Sequence, residues 1–383
     1  MKVTFVSNYI NHHQIPFCME MYERLGEGFA FIQTQPMEAE RVELGWQQNP
    51  DLPYVYYAYK EPKTCSQLVM NSDVVIWGGV EDESMLKPRL EVGKPVLRYS
   101  ERLYKNGQWK AITPRGLWKK YHDHTKYRKK NVYLLCAGAY VASDFHIIRS
   151  YPNKMLKWGY FPECKEYHIE SLLEGKESDK KEILWVGRFI DWKHPELVIA
   201  WVKELIKRRK DFRVTMIGGG ELRESVEELI KENALEEYIT LAGVKSPQEV
   251  RRAMEQSAIF LMTSDRQEGW GAVMNEAMNS GCCVIANRME GAAPYLITPE
   301  KNGYVYGEAT ISKVPDIINK LLDDKKLREE IGKKAYETIA EEWNAKVATE
   351  RLLQICAMMC KEEVLFLWES GPCSPAEIMK EKI

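Results

Sequence analysis

Short runs of β-branched and aromatic residues recur along the chain, separated by stretches in which apolar positions return every three or four residues. Runs of the first kind cover residues 3–7, 29–33, 74–77, 96–99 and 132–136. A second series covers residues 183–186, 214–217, 239–242, 259–262 and 283–286. Uninterrupted apolar runs of this length read as strands covered on both faces, and their alternation with helices predicts parallel sheets. The clearest helix begins at Pro195, with Leu197, Trp201 and Leu205 on one stripe and Val198, Val202 and Ile206 on the next. Another begins at Ser246-Pro247-Gln248-Glu249, a capping box with proline at the first helical position. Two consecutive α/β series predict two Rossmann-like domains facing a central cleft. In such folds ligands bind at the carboxyl ends of the strands. A polar stretch at residues 163–181 separates the series and reads as a hinge.

Composition narrows this picture without changing it. The 383 residues suffice for two cores, and 45% hydrophobic and 29% charged residues with a net charge of −2 describe a globular chain. The first apolar run soon meets Asn8 and Asn11, unlike a secretory signal. No run approaches the ~18 apolar residues of a membrane span. The nine cysteines form no CxxC pair and no zinc-like cluster with histidine, so they read as reduced core thiols in a cytoplasmic protein.

The candidate chemistry sits mostly in the second series. The run at 183–186 ends in Gly187-Arg188-Phe189-Ile190-Asp191-Trp192-Lys193-His194. There Gly187 would admit a ligand to the backbone, and Arg188 and Lys193 would reach phosphate oxygens, unless they are merely solvated cations. Gly218-Gly219-Gly220 follows the next strand, where a phosphate could meet a helix N-terminus, although a plain tight turn reads equally well. The strongest segment is residues 264–278. A turn holding Glu268, Gly269, Trp270 and Gly271 leads into a helix that starts near Ala272 and carries Glu276. Amides near Gly269–Ala272 can hold an anion, Glu268 can accept bonds from sugar hydroxyls, and Glu276 from a ribose diol.

This constellation resembles the large family of retaining glycosyltransferases called family four, or glycosyl transferases group 1, which have the GT-B fold. Its two glutamates with seven residues between are matched by Glu268 and Glu276. Its Gly-Arg…Lys is matched by Gly187, Arg188 and Lys193, which by resemblance grip the donor diphosphate. Its glycine-rich turn is matched by Gly218, Gly219 and Gly220, and its nucleobase loop by Ala242-Gly243-Val244-Lys245. The resemblance covers residues 183–343 closely and the first half only in outline. Two segments depart from it: Gly291-Ala292-Ala293-Pro294-Tyr295 replaces Gly-Gly-x-Pro-Glu, and Asn8-Tyr9-Ile10-Asn11-His12-His13-Gln14 replaces a glycine pair. The resemblance implies an N-terminal acceptor domain at 1–165, a nucleotide-sugar domain at 166–359, and a tail at 360–383 that returns to the first domain. The apolar run at residues 364–368 suits such a tail.

In the first domain the Asn8–Gln14 loop leaves a strand end, so His13 could donate a proton to the leaving phosphate or stabilise its charge. Glu101 follows the run at 96–99, about where relatives place a histidine beside the transferred sugar. Residues 102–130 carry ten lysines and arginines against one acid, Asp123, interleaved with Tyr104, Trp109, Trp118, Tyr121 and Tyr127. Such a run can be a solvated face. No nucleic-acid-binding motif accompanies it, and an anionic membrane surface fits the aromatics better.

The sequence therefore predicts a retaining glycosyltransferase with a nucleotide-diphosphate sugar as co-substrate, UDP favoured over GDP, and no other cofactor. The acceptor would be a hydroxyl of a glycan or lipid-linked sugar, as in bacterial capsule, exopolysaccharide or lipopolysaccharide synthesis. No Asp-x-Asp stands at a strand end, so no divalent metal is expected, and Arg188, Lys193 and helix amides would meet the leaving charge. The catalytic set is Glu268, Arg188, Lys193, His13 and Glu101. The alternatives are a nucleotide-sugar epimerase of the same fold and a non-enzymatic, membrane-associated nucleotide-sugar-binding protein.

Overall fold

A computed structural model of the chain describes residues 1–37, 52–108, 113–363 and 368–379. It divides into two compact units, Met1–Glu163 with Asn344–Ile383, and Cys164–Trp343. In the first, β1 (Val3–Ser7), β2 (Phe29–Gln33), β3 (Val55–Tyr57), β4 (Val74–Gly78), β5 (Val96–Ser100), β6 (Val132–Ala137) and β7 (Met155–Trp158) form one sheet in the order β3-β2-β1-β4-β5-β6-β7. In the second, β8 (Lys181–Val186), β9 (Phe212–Ile217), β10 (Ile239–Gly243), β11 (Ile259–Met262), β12 (Cys283–Asn287) and β13 (Tyr304–Tyr306) run in the order β10-β9-β8-β11-β12-β13. All pairings within both sheets are parallel.

Burial explains which strands the pattern reveals. β1, β2, β4 and β11 are buried along their whole length, which is why they read as unbroken apolar runs. The three strands that pattern alone misses, β3, β7 and β13, all lie at sheet edges. They are too short to show a period of their own. The helix Pro195–Leu205 buries Val198, Ile199, Trp201, Val202 and Leu205 against the second sheet, and Ser246 and Glu249 form the expected capping box at Pro247–Gln256.

Two expectations change. The polar stretch at 163–181 is not a hinge throughout. Its helix Ile169–Glu174 buries Ile169 and Leu173, and the buried Lys176 ammonium donates to Met254 O at 2.6 Å and Ser257 O at 2.7 Å. Those bonds fasten the stretch to the second unit. Conversely, the helix Ala345–Cys360 groups with the first unit, not with the second as its position in the chain suggested. It packs on the helix Ile15–Leu25, and Asn131 donates to its Met359 carbonyl at 2.8 Å. Further on, Cys373 donates to Lys157 O at 2.8 Å, Lys157 to Ser374 O at 2.7 Å, and Ala376 to Met155 O at 2.9 Å. Residues 373–376 thus run antiparallel along β7 and cover that edge. The apolar tail run at 364–367 lies outside the described residues. No helix among the described residues is long and apolar enough to cross a membrane. All nine cysteines are free, and most are buried.

Candidate functional site

In each sheet the strand order reverses at one point, between β1 and β4 in the first and between β8 and β11 in the second. The carboxyl ends flanking such a switch point open a crevice. In the second unit those ends deliver the loops at 187–194 and 263–271, the same two that carry Arg188, Lys193 and Glu268.

The first loop is pressed against the glycine turn after β9. Phe189 N–H donates to Gly219 O at 2.8 Å, and Leu222 N–H to Phe189 O at 2.9 Å. Gly218, at φ +143°, leaves no room for a Cβ, which would overlap the carbonyl oxygen of Gly187. The glycines are therefore required by the approach of two backbones. This accounts for Gly218 without a ligand, while a Cβ at Gly187 would crowd the Trp185 ring at 3.1 Å and one at Gly219 would crowd Val244 of the loop after β10 at 3.1 Å. Val244 is exposed; Lys245 turns to Glu249 at 3.3 Å.

Lys193 forms an ion pair with Glu268, both side chains largely buried. Thr263 holds this arrangement from behind. Its hydroxyl donates to Lys193 O and accepts from the Trp185 indole at 2.8 Å. Next to it, His194 bonds Asp265 at 3.3 Å and Glu196 at 2.9 Å. Those two carboxylates raise its pKa to about 10, so it is a cation at neutral pH. Asp265 in turn fixes the Glu268 turn by accepting from Gln267 N–H at 2.8 Å. Arg188 lies over the Trp192 ring at 5.7 Å.

The helix Ala272–Asn279 begins at Gly271, whose φ of +86° and ψ of +60° only glycine adopts at little cost. Behind Gly271 sits Glu290, which is fully buried and so close that a Cβ at Gly271 would strike its carboxyl. Burial and the neighbouring Glu268 charge push the Glu290 pKa well above the usual carboxylate range, against the pull of amides from Ala292 and Ala293 at 3.3 and 3.0 Å. Glu276 faces Arg251, with Nη2 to Oε1 at 3.4 Å, and Arg251 also bonds Asn279 at 2.9 Å. The Trp270 side chain departs from expectation. It is 1% exposed, bonded to Asn275 at 2.9 Å and packed beside Trp343, so only its main chain can serve a ligand. Sequence reasoning missed Thr263, Asp265, His194, Arg251 and Glu290, because each acts by touching a residue distant in the chain. The one available signal was a lone acid, Glu290, at the mouth of β12.

In the first unit, the His12 and His13 rings lie 3.7 Å apart after β1, tilted by 48°, and burial lowers the His12 pKa to about 4. Tyr160 joins the two predicted residues. Its ring lies 6.3 Å from His13, and its hydroxyl donates to Glu101 at 2.7 Å, while Lys105 bonds the other Glu101 oxygen at 2.7 Å. The basic stretch does not form one surface. Arg102 is buried and paired with the buried Asp144 at 3.3 Å, and Tyr104 and Tyr127 are core residues. Trp109 and Lys110 lie outside the described residues. What reaches solvent includes the helix Pro114–Asp123, with Trp118 and Tyr121 exposed, and the cations Lys126, Arg128, Lys129 and Lys130 after it.

Residues 173–338 match the model of the family described as glycosyl transferases group 1. The matched segment contains Arg188, Lys193, Glu268, Glu276 and Glu290. The chain is 27% identical over 211 residues to spore coat protein SA of Bacillus subtilis, covering 50% of this chain and 56% of that one. It is 27% identical over 177 residues to the alpha-D-kanosaminyltransferase of Streptomyces kanamyceticus, covering 46% and 45%. The chain spans about half the length of these curated relatives. The structure of Anabaena HepE in complex with UDP and glucose superposes over 93% of this chain and 99% of that one, with a TM-score of 0.65 and 14% identity. The fold is GT-B, two Rossmann-like units.

Proposed function

We propose that this protein is a retaining glycosyltransferase that moves a sugar from a nucleotide-diphosphate sugar, UDP before GDP, to a hydroxyl of a glycan or lipid-linked acceptor. The observation that carries this reading is the Lys193–Glu268 ion pair at the β8/β11 switch point, beside the Gly271 helix start. A cation for phosphate and a carboxylate for sugar hydroxyls stand side by side there, at an end of a sheet where α/β folds bind nucleotides. The alpha-D-kanosaminyltransferase and the UDP- and glucose-bound HepE point the same way.

In this mechanism Arg188, Lys193 and the first amides of the helix Ala272–Asn279 bind the diphosphate and take up its charge as it leaves, without a metal ion. Gly187, Gly218 and Gly219 supply main chain at the strand ends that borders the donor, Val244 and Lys245 flank the base, Gly269 and the Trp270 main chain line the turn, and Glu276 accepts from the ribose diol. The bond from the anomeric carbon to the diphosphate breaks as the acceptor oxygen attacks from the same face. The acceptor proton passes to the leaving phosphate oxygen, giving a glycoside of unchanged configuration and a free nucleoside diphosphate. Glu268 orients the sugar hydroxyls. The first unit is the acceptor domain in this reading, with Glu101 and His13 as its candidate catalytic residues.

The enzyme would work at the cytoplasmic face of a membrane, and the helix Pro114–Asp123 supports this. Leu117, Trp118 and Tyr121 are 44%, 67% and 54% exposed on one face, whereas Gly116, Lys120 and Asp123 of the opposite face are partly covered. Its apolar side is thus turned away from the protein, flanked by exposed Arg115 and Lys119, as for a helix lying in anionic headgroups.

Thermal shift against a panel of nucleotide sugars tests the reading. A ligand at 100 times its dissociation constant adds about 2.7 kcal/mol. One UDP- or GDP-sugar should raise the melting temperature, and no response across the panel would refute the assignment. Donor turnover without acceptor, yielding an epimer, would instead establish the epimerase.

A further inference from the structure

The first sheet carries a cavity of about 680 Å³, lined by Arg128, His146, Arg149, Met155, Pro375 and Ile378 among others. Arg128 precedes β6, and Arg149 to Asn153 precede β7, so in this parallel sheet the cavity lies at the amino ends of the strands. Glu101 and the His12–His13 loop lie at the carboxyl ends of β5 and β1. The cavity is therefore no part of the transfer site.

Three features give it chemistry. Its lining holds two arginines and a histidine but no carboxylate, and neither arginine has an ion-pair partner among the described residues. The rest of the lining is largely apolar, with Met155, Ile147, Pro152, Pro375 and Ile378, and the chain after Ser374 forms one wall by pairing along β7. Third, Arg149, Tyr151 and Asn153 all take left-handed backbone conformations, with φ of 53°, 53° and 56°. Non-glycine residues adopt these only where their surroundings enforce it, and such strain gathers at ligand clamps. Here the enforcing contacts are explicit. Buried Tyr151 bonds His124 at 2.8 Å, and buried Ser150 bonds Thr125 at 2.8 Å. Arg149 is thereby carried on a braced turn that lines the same cavity as Arg128.

We propose that this cavity binds a phosphate group borne on an apolar body, with Arg128 and Arg149 gripping the phosphate oxygens and the Met155–Ile378 side covering the apolar part. Two guanidinium groups in one lining with no carboxylate among them suit a phosphate. An apolar wall beside them suits an acyl or prenyl chain better than water. The proposal does not depend on the transfer reading.

Calorimetric titration of the full chain with dihexanoyl phosphatidic acid below its micelle concentration, and separately with inorganic phosphate, tests this. Saturable one-site binding of the lipid at least about tenfold tighter than inorganic phosphate is expected and identifies a headgroup. Equal saturable binding of both would mean a free-phosphate site and overturns the proposal. The Arg128→Gln/Arg149→Gln variant should weaken binding by at least about tenfold. Both positions are exposed, and an unchanged circular dichroism melt will verify the fold. No saturable binding of either probe, or unchanged affinity in the variant, overturns the proposal.

Discussion

The Lys193 ammonium and the Glu268 carboxylate meet in an ion pair, although one follows β8 and the other β11. Each residue separately could be a solvated surface charge. Their contact, largely buried and braced by Thr263 and Asp265, removes that reading and places both charges at the switch point.

If Lys193 and Arg188 meet the leaving diphosphate, Lys193→Ala and Arg188→Ala should each lower kcat by at least about a hundredfold, roughly 2.7 kcal/mol of barrier. Steady-state kinetics with circular dichroism as a fold control checks this. Near-normal rates in both variants would remove the phosphate assignment.

The two glutamates should separate by role. Glu268→Gln should depress kcat more than donor affinity, whereas Glu276→Ala should weaken free UDP or GDP itself by roughly 1.5–3 kcal/mol, the worth of bonds to a charged acceptor. Arg251→Ala should share the Glu276 phenotype in milder form, because Arg251 fixes that carboxylate. Calorimetry of nucleotide binding separates these effects, and NMR of the new linkage should show the donor's anomeric configuration retained. An inverted linkage contradicts the proposed mechanism at its centre.

Chelation is a separate test of the charge accounting. Activity should persist in excess EDTA, since the cations assigned to the diphosphate are side chains. Complete loss, restored by Mg²⁺ or Mn²⁺, would show that a metal ion does that work.

The His194 cluster predicts a pH dependence of stability. Hydrogen bonds to Asp265 and Glu196 raise its pKa from 6.5 to about 10. A raised folded-state value means the stabilisation is full below the unfolded pKa and is lost as pH rises towards the folded one. Urea unfolding should therefore show wild type exceeding His194→Gln at about pH 6, with the gap closing towards about pH 10. A gap independent of pH would mean that His194 stabilises by packing alone.

Much of this molecule was legible in its sequence. Strands buried on both faces have no polar alternation to hide them, so the sheet centres, the Pro195 helix and the Ser246 capping box could be read directly. So could the loops that matter, because in a parallel sheet the residues after each strand must reach one edge, and glycines mark where backbones approach. The edge strands β3, β7 and β13 could not be read, since three or four residues carry no period and their pairing is decided by a neighbour. The same reason governs the site. Arg188, Lys193, Glu268 and Glu276 could be nominated from local context. That Lys193 pairs with Glu268, that Arg251 holds Glu276, that Trp270 turns into the core, and that Glu290 lies beneath Gly271 are contacts between distant segments. Local sequence determines which loops emerge at the strand ends. Only the strand order, a property of the whole sheet, decides which of those loops become neighbours.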